Sequence, residues 1–305
     1  MKYIYGPVPS RRLGISLGVS PIPKKTCNYS CIYYQLGRTT HMTNTRKMFY
    51  NIKDIIRELH NVFRKNIYFD VVTIVGEGEP TLYLGLGDLI SEIKKRTDKT
   101  VAVITNSALL YDKDVRKNLY KADIVLPSMD AYDEDMFNKI CRPYKGIQFR
   151  DVRKGLEIFS NEYQGKLWIE IMLMKGINDD EKSLVKYVNM LNHIKYDKLY
   201  LNTPVRPPAE SNIESIEFTV MKTAVNLLNG ISLDLLKSIG FHSEIKDHYQ
   251  AVISIITRHP MNQFEIEEFL NTRNCKNIDG IFNGLKIDEN VIEINYKGYR
   301  TFRIR

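Results

Sequence analysis

Cys27-Asn28-Tyr29-Ser30-Cys31-Ile32-Tyr33-Tyr34-Gln35-Leu36-Gly37-Arg38 is the stretch on which the reading of this 305-residue chain turns. It follows an alternating run, Leu13 to Val19, and a turn-forming Pro21-Ile22-Pro23. The two thiols are four residues apart on a loop that leaves a predicted strand, a placement that suits metal ligands. Cysteine thiolates hold iron–sulfur clusters, and an isolated pair is too few to close one. The plain alternative is a pair of small buried residues, since free cysteine packs as a small hydrophobe.

Outward from this loop, composition sets the class. Hydrophobic residues make up 43% of the chain and charged residues 26%, as in an ordinary globular protein. The length allows a large α/β domain with a small appendage. No apolar run approaches the ~18 residues of a membrane span. Met1 to Pro7 has no apolar segment followed by a small-residue cleavage site, so export is not expected. Four cysteines make no disulfide framework in a chain of this size, and a reduced, cytoplasmic setting is expected. The net charge of +8 is uneven: residues 1–66 carry twelve Lys and Arg against Asp54 and Glu58. Such a basic region attracts an anionic substrate, a nucleic acid or an acidic electron donor such as flavodoxin or ferredoxin. A solvated basic face with no partner would look the same.

Periodicity predicts alternating strands and helices. Strands are expected at Leu13–Val19, Asp70–Val75, Val101–Ile104, Asp123–Pro127, Leu167–Met174 and Lys198–Leu201. Helices are expected between them, the clearest at Ile52–Phe63, where apolar residues recur at helical spacing. Six strands separated by helices argue for a parallel sheet, because each parallel crossover needs a helix-length connection. Order alone does not separate an open sheet from a barrel. The unusual polar motifs all fall at strand C-terminal ends: Gly76-Glu77-Gly78-Glu79-Pro80-Thr81, Thr105-Asn106, Ser128-Met129-Asp130 and Asn202-Thr203-Pro204-Val205.

With these pieces placed, the Cys27 loop resembles the cluster loop of radical S-adenosylmethionine (radical SAM) enzymes, whose pattern is C-x3-C-x2-C. Gly6-Pro7-Val8-Pro9-Ser10-Arg11-Arg12-Leu13-Gly14 resembles the opening of one subgroup, uncharacterised iron–sulfur oxidoreductases related to wyosine-type tRNA-modifying enzymes. The resemblance implies an α/β fold, a partial (β/α)6 TIM-type barrel with its chemistry at the strand C-terminal ends. It also implies a 4Fe-4S cluster with one iron left open to S-adenosyl-L-methionine (SAM). The implied ancestral activity is reductive cleavage of SAM to a 5′-deoxyadenosyl radical that acts on an unidentified substrate. Cys27 and Cys31 match the metal ligands; the third cysteine should stand at position 34, where this chain has Tyr34.

Three explanations of Tyr34 stay open. It is an introduced change in an active enzyme, the mark of a catalytically inactive SAM- or partner-binding relic, or a phenolate ligand to iron, as in catalase haem. Cys141 is a conceivable substitute thiolate, though a buried packing role is the simpler reading for it and for Cys275.

The resemblance further implies cofactor contacts. Tyr33 flanks the cluster loop, and Gly76, Gly78 and Glu79 match a glycine-rich stretch that meets the cofactor's amino group. Asn106, Ser128 and Asp130 match polar contacts to ribose and carboxylate. Ile177 and Asn202 match segments that bracket adenine. Tight turns and helix N-caps also use these residue types. Arg142 and Arg206 suit anionic groups or surface ion pairs. No catalytic residue is assigned.

Three regions follow: a barrel over 1–210, a connecting segment over 211–245 and a winged-helix-like domain over 246–305. The last has three short helices and a terminal hairpin. Its nine Lys and Arg against eight acids are hardly an electrostatic footprint for nucleic acid. A tRNA-modifying role is the third functional reading, implied by the resemblance to wyosine-type enzymes and in agreement with the basic N-terminal region.

Overall fold

A computed structural model describes residues 2–305 except 66, 234–240 and 244. The chain opens with an antiparallel hairpin, β1 (Ile4–Ser10) and β2 (Gly14–Val19), then the short β3 (Thr26–Cys27) and β4 (His41–Met42) of the cysteine loop. Helix α1 (Ile52–Phe63) follows, capped by the Asn51 side chain, and buries Ile55, Ile56, Leu59 and Val62 along one face. Strand and helix then alternate: β5 (Val71–Ile74), α2 (Leu86–Lys94), β6 (Thr100–Thr105), α3 (Lys113–Leu119) and β7 (Ile124–Pro127). Two helices come next, α4 (Glu134–Cys141) and α5 (Phe149–Glu162), then β8 (Lys166–Met172), α6 (Glu181–Leu191) and β9 (Lys198–Asn202). Helix α7 (Phe218–Leu228) and the short β10 (Ile231–Ser232) complete the first unit.

The eight strands form one sheet in the order β1-β2-β5-β6-β7-β8-β9-β10. All but β1 run parallel. The six predicted strands are its β2, β5, β6, β7, β8 and β9, and the fold is the partial α/β barrel expected. Strand β1 was not expected, because Pro7 and Pro9 argue against a strand. Proline lacks an N–H and is tolerated only at a sheet edge, and β1 is that edge.

Alternation along each strand sorts the residues into two layers. Leu17, Val19, Val72, Ile74, Val101, Val103, Ile169, Ile171, Leu199 and Leu201 belong to the main core shared with the helices. On the opposite, inner face, Val71, Ala102, Ile124 and Leu126 pack with Leu13, Ile104 and Trp168 into a separate apolar plug. Above the plug the inner residues turn polar: Ser16, Thr73, Glu170 and Asn202 line a cavity.

Of the 211–245 segment, 234–240 and 244 lie outside the described residues, while the helical patterning around Thr219–Leu228 appears as α7. The second unit runs α8 (His248–Ile256), β11 (Met261–Asn262), α9 (Gln263–Thr272), α10 (Ile278–Ile287), β12 (Val291–Tyr296) and β13 (Tyr299–Ile304). Its three-stranded sheet has the order β11-β13-β12. The expected helices and hairpin are present. The two-residue β11 is too short to leave a periodic signal. Ala251, Val252, Ile256, Ile266, Leu270 and Phe302 form a hydrophobic core of its own. Among the described residues no helix is long and apolar enough to cross a membrane.

Candidate functional site

The cysteine loop is fixed by the motif behind it. Lys25 donates its N–H to the Glu77 carbonyl (2.7 Å), and Glu79 donates its N–H to the Thr26 carbonyl (3.1 Å). A Cβ on Gly78 would lie 1.8 Å from the Thr26 oxygen, and one on Gly76 would lie 2.8 Å from Ile22. The two glycines therefore let the β5 exit pack against the loop backbone. That is a reason within the chain for glycines read as room for a cofactor.

Glu79 is buried and committed to the protein. One carboxylate oxygen accepts from the Thr81 N–H (2.9 Å), the Thr81 hydroxyl (2.6 Å) and the Thr105 hydroxyl (2.7 Å). The other accepts from the Asn106 N–H (2.7 Å). Burial raises its pKa against the pull of these bonds. The Asn106 side chain donates to Asn28 Oδ1 (2.7 Å) and to Cys27 Sγ (3.5 Å), which also accepts from the Tyr29 N–H (3.4 Å). Burial, with Glu79 beside it, pushes the Cys27 thiol up.

Tyr34 closes a turn, with Tyr34 N–H to Cys31 O at 3.2 Å and Gly37 N–H to Tyr34 O at 3.0 Å. Burial raises its phenol well above the ordinary value, and the neighbouring Cys27, Glu77, Tyr5 and Cys31 add to the rise. Cys141, at the end of α4, is buried, and the neighbouring Cys31 together with burial pushes its thiol up. Cys275 is half-buried against the second core.

The cavity has a volume of about 310 Å³ and is lined by Tyr33, Gly76 and Asn202 among the expected residues. Tyr34, Tyr5, Glu77, Glu170, Met172, Arg12, Arg206, Arg258 and His259 also line it. Asn202 donates to Glu170 Oε1 (3.1 Å), and Glu170 pairs with Arg12. Glu77 is buried; its Oε2 lies 3.6 Å from Arg258 Nε, and its Oε1 has no partner. Burial raises its pKa, opposed by Arg258. Half-buried His259 is held well below the usual imidazole value by desolvation, then by Arg206 and Arg11, and is neutral. Arg206 pairs with Glu265 (2.9 Å) and donates to the Pro260 carbonyl (2.5 Å), which joins the second unit to the barrel mouth.

The remaining expected residues sit outside the cavity lining. Asp130 accepts from the Tyr33 hydroxyl and from the Met172 N–H (2.8 Å), and burial raises its carboxyl to about 6. Ser128 is bonded through its backbone to Thr105 and Ser107. Ile177 packs half-buried against the main core. Arg142 binds Glu210 (2.5 Å), which also holds Arg38, so this arginine belongs to a surface ion cluster.

Sequence reading passed over Glu77, which stands within the same glycine-rich motif. It also passed over Glu170, a carboxylate in the apolar run Trp168–Met174 whose presence there was the available signal. Arg258 and His259 reach the cavity from another unit and leave no local sign.

A nucleoside-bearing ligand suits this cavity: the volume is in the range of small-molecule sites, and its wall carries the Glu77 carboxylate, opposite in charge to a cationic amino group. The metal donors suit their group less well. A three-thiolate cluster needs one more thiol than the loop supplies, and among the described residues no three His, Cys, Asp or Glu converge closely enough to hold a metal.

A parallel partial barrel with a cysteine loop over its C-terminal mouth defines the class. The family model of the radical SAM superfamily matches residues 22–188, and the chain belongs to that superfamily. Membership implies a 4Fe-4S cluster and SAM. A UPF0026 protein of Methanocaldococcus jannaschii is 34% identical over 309 residues, covering 98% of this chain and 94% of the relative. A UPF0026 protein of Helicobacter pylori is 32% identical over 293 residues, covering 93% of each. Among solved structures, TYW1 with a lysine–pyruvate adduct bound superposes with a TM-score of 0.54 at 18% identity, over 72% of this chain and 74% of that one. Native anSMEcpe with bound AdoMet gives 0.52 at 19% identity, over 70% and 59%. At these identities the likeness is one of fold.

Proposed function

We propose that this chain is a SAM-binding protein of the radical SAM type, with the cofactor seated in the lumen beneath the cysteine loop. The carrying observation is the cavity at the strand C-terminal ends, whose wall includes Glu77, Tyr33, Gly76 and Asn202. Glu77 binds the amino group, and Asn202, held by Glu170, orients the nucleoside end. Tyr33 is locked by Asp130 and keeps the loop in place. The likeness in fold to native anSMEcpe with bound AdoMet supports the reading.

The loop as it stands offers Cys27, Cys31 and a phenol. The ancestral reductive cleavage of SAM, acting on an unidentified substrate, requires a third thiolate, and Tyr34→Cys restores one. A relic would have been free to lose the Glu79–Asn106–Cys27 network once its cluster was gone, and that network is whole. The second unit, in the order helix, strand, helix, helix, hairpin, is winged-helix-like and serves to present substrate. The basic N-terminal segment faces an anionic substrate, tRNA included, or an acidic electron donor.

Calorimetric titration with SAM tests the proposal. Binding to the unsubstituted protein is expected, and absence of heat under conditions where the protein is folded ends the reading.

A further inference from the structure

We infer that Cys31 and Cys141 form a dithiol pair that closes into a disulfide. The backbone sets them opposite each other. The cysteine loop and the chain leaving α4 run antiparallel, joined by a bridge between Tyr29 and Pro143. Tyr144 donates its N–H to the Asn28 carbonyl (2.7 Å), and Ile32 donates to the Ile140 carbonyl (3.0 Å). Between them the Ser30 N–H is shared by the carbonyls of Cys141 (2.9 Å) and Arg142 (3.3 Å). Cys31 thus lies between Ser30 and Ile32, which donate to the carbonyls of Cys141 and of its neighbour Ile140. Cys141 is the last residue of α4, so the two cysteines meet where the loop crosses the helix end, and a disulfide forms when their Cα atoms come within about 4.4–6.8 Å.

The Cys31 thiol is near enough to push the Cys141 thiol up. Cys27, in contrast, is held away by bonds from Asn106 and the Tyr29 N–H. Access is one-sided: Cys31 is half-buried, and Cys141 is 4% exposed.

The order of events follows from that asymmetry and from ordinary exchange chemistry. Cys31 attacks a low-molecular-weight disulfide such as oxidised glutathione, releasing one thiol, and Cys141 displaces the second. One S–S bond breaks in the reagent and one forms in the protein. Two electrons pass to the reagent, and the two thiol protons end on the released thiols. The bond stands whether or not the loop binds iron. Its consequence, withdrawal of Cys31 from the metal, rests on the proposed reading of the loop.

The test uses the full chain equilibrated in glutathione redox buffers, quenched with alkylating agent and digested with trypsin without reduction. The expected product joins peptide 26–38 to peptide 140–145 and grows with the proportion of oxidised glutathione. Cys141→Ser should abolish it and leave Cys31 as a glutathione adduct, while Cys27→Ser should leave it intact. A wild-type digest in which Cys31 is only glutathionylated, bridged to Cys27 or free would overturn the inference. A parallel titration of reduced protein with ferrous iron separates the two claims. If the linked peptide forms but Cys31→Ser leaves iron content unchanged, the disulfide stands and Cys31 is no metal ligand.

Discussion

Tyr34 and Glu77 face the same mouth of the lumen, and each side chain decides a separate step. After anaerobic treatment with iron and sulfide, Tyr34→Cys should carry a four-iron cluster visible by electron paramagnetic resonance, and the unsubstituted chain far less iron. Equal iron and equal spectra in both would show that a thiol at position 34 is not what the loop lacks. Glu77→Gln keeps the shape and removes the charge, so SAM should bind roughly tenfold more weakly or worse, as for a lost hydrogen bond of about 1.5–3 kcal/mol to a charged group. An unchanged dissociation constant by calorimetry would take Glu77 out of the site. Asp130 gives a pH signature. Its carboxyl titrates near 6 in the fold, against the ordinary 3.8. The native state therefore holds the extra proton between those values. The resulting stability is full below the lower value and is lost as pH rises through the upper one, by about 3 kcal/mol in all. Asp130→Asn removes that dependence, so urea midpoints of variant and parent should diverge in the variant's favour from pH 4.5 to pH 7. A constant difference across that range would contradict the assignment.

Between β5 and the cysteine loop the fit is close enough that one methyl group matters. Gly78→Ala would drive a Cβ into the Thr26 carbonyl, and a backbone neighbour cannot swing away as a side chain can. The expected loss is about 1–3 kcal/mol of stability by urea unfolding, with weaker SAM binding because the loop shifts. Full stability would mean that the loop adapts. The same region shows what sequence discloses. Val71–Ile74 is legible as a strand because its residues are β-branched and buried, and α1 is legible because its apolar face recurs at the helical period. The motif after β5 marks a site, but spacing does not say which carboxylate points where. Glu79 turns inward to Thr81, Thr105 and Asn106, and Glu77, two residues earlier, turns to the cavity. Only tertiary packing separates them.

At the scale of the whole molecule polar contacts join the two units, Arg303 to the Gln35 carbonyl (2.7 Å) among them. Arg206 reaches Glu265 and the Pro260 carbonyl, Arg258 reaches Glu77, and Tyr296 donates to the Pro204 carbonyl (2.6 Å). Arg206→Ala would leave Glu265 without its cation, at a cost of about 2–4 kcal/mol for a partly buried pair. Hydrogen exchange should then quicken over 258–272 and stay slow in β5 to β8. Uniform quickening would mean that the two units unfold together. Such contacts join residues distant in sequence and leave no periodic signal. The apolar plug of Leu13, Val71, Ala102, Ile124 and Trp168 beneath the lumen carries a kinetic consequence. A chamber with a floor has depth, and whatever lodges deepest enters first and departs last. Two ligands stacked there would exchange as a queue, with the outer guest timing the release of the inner one.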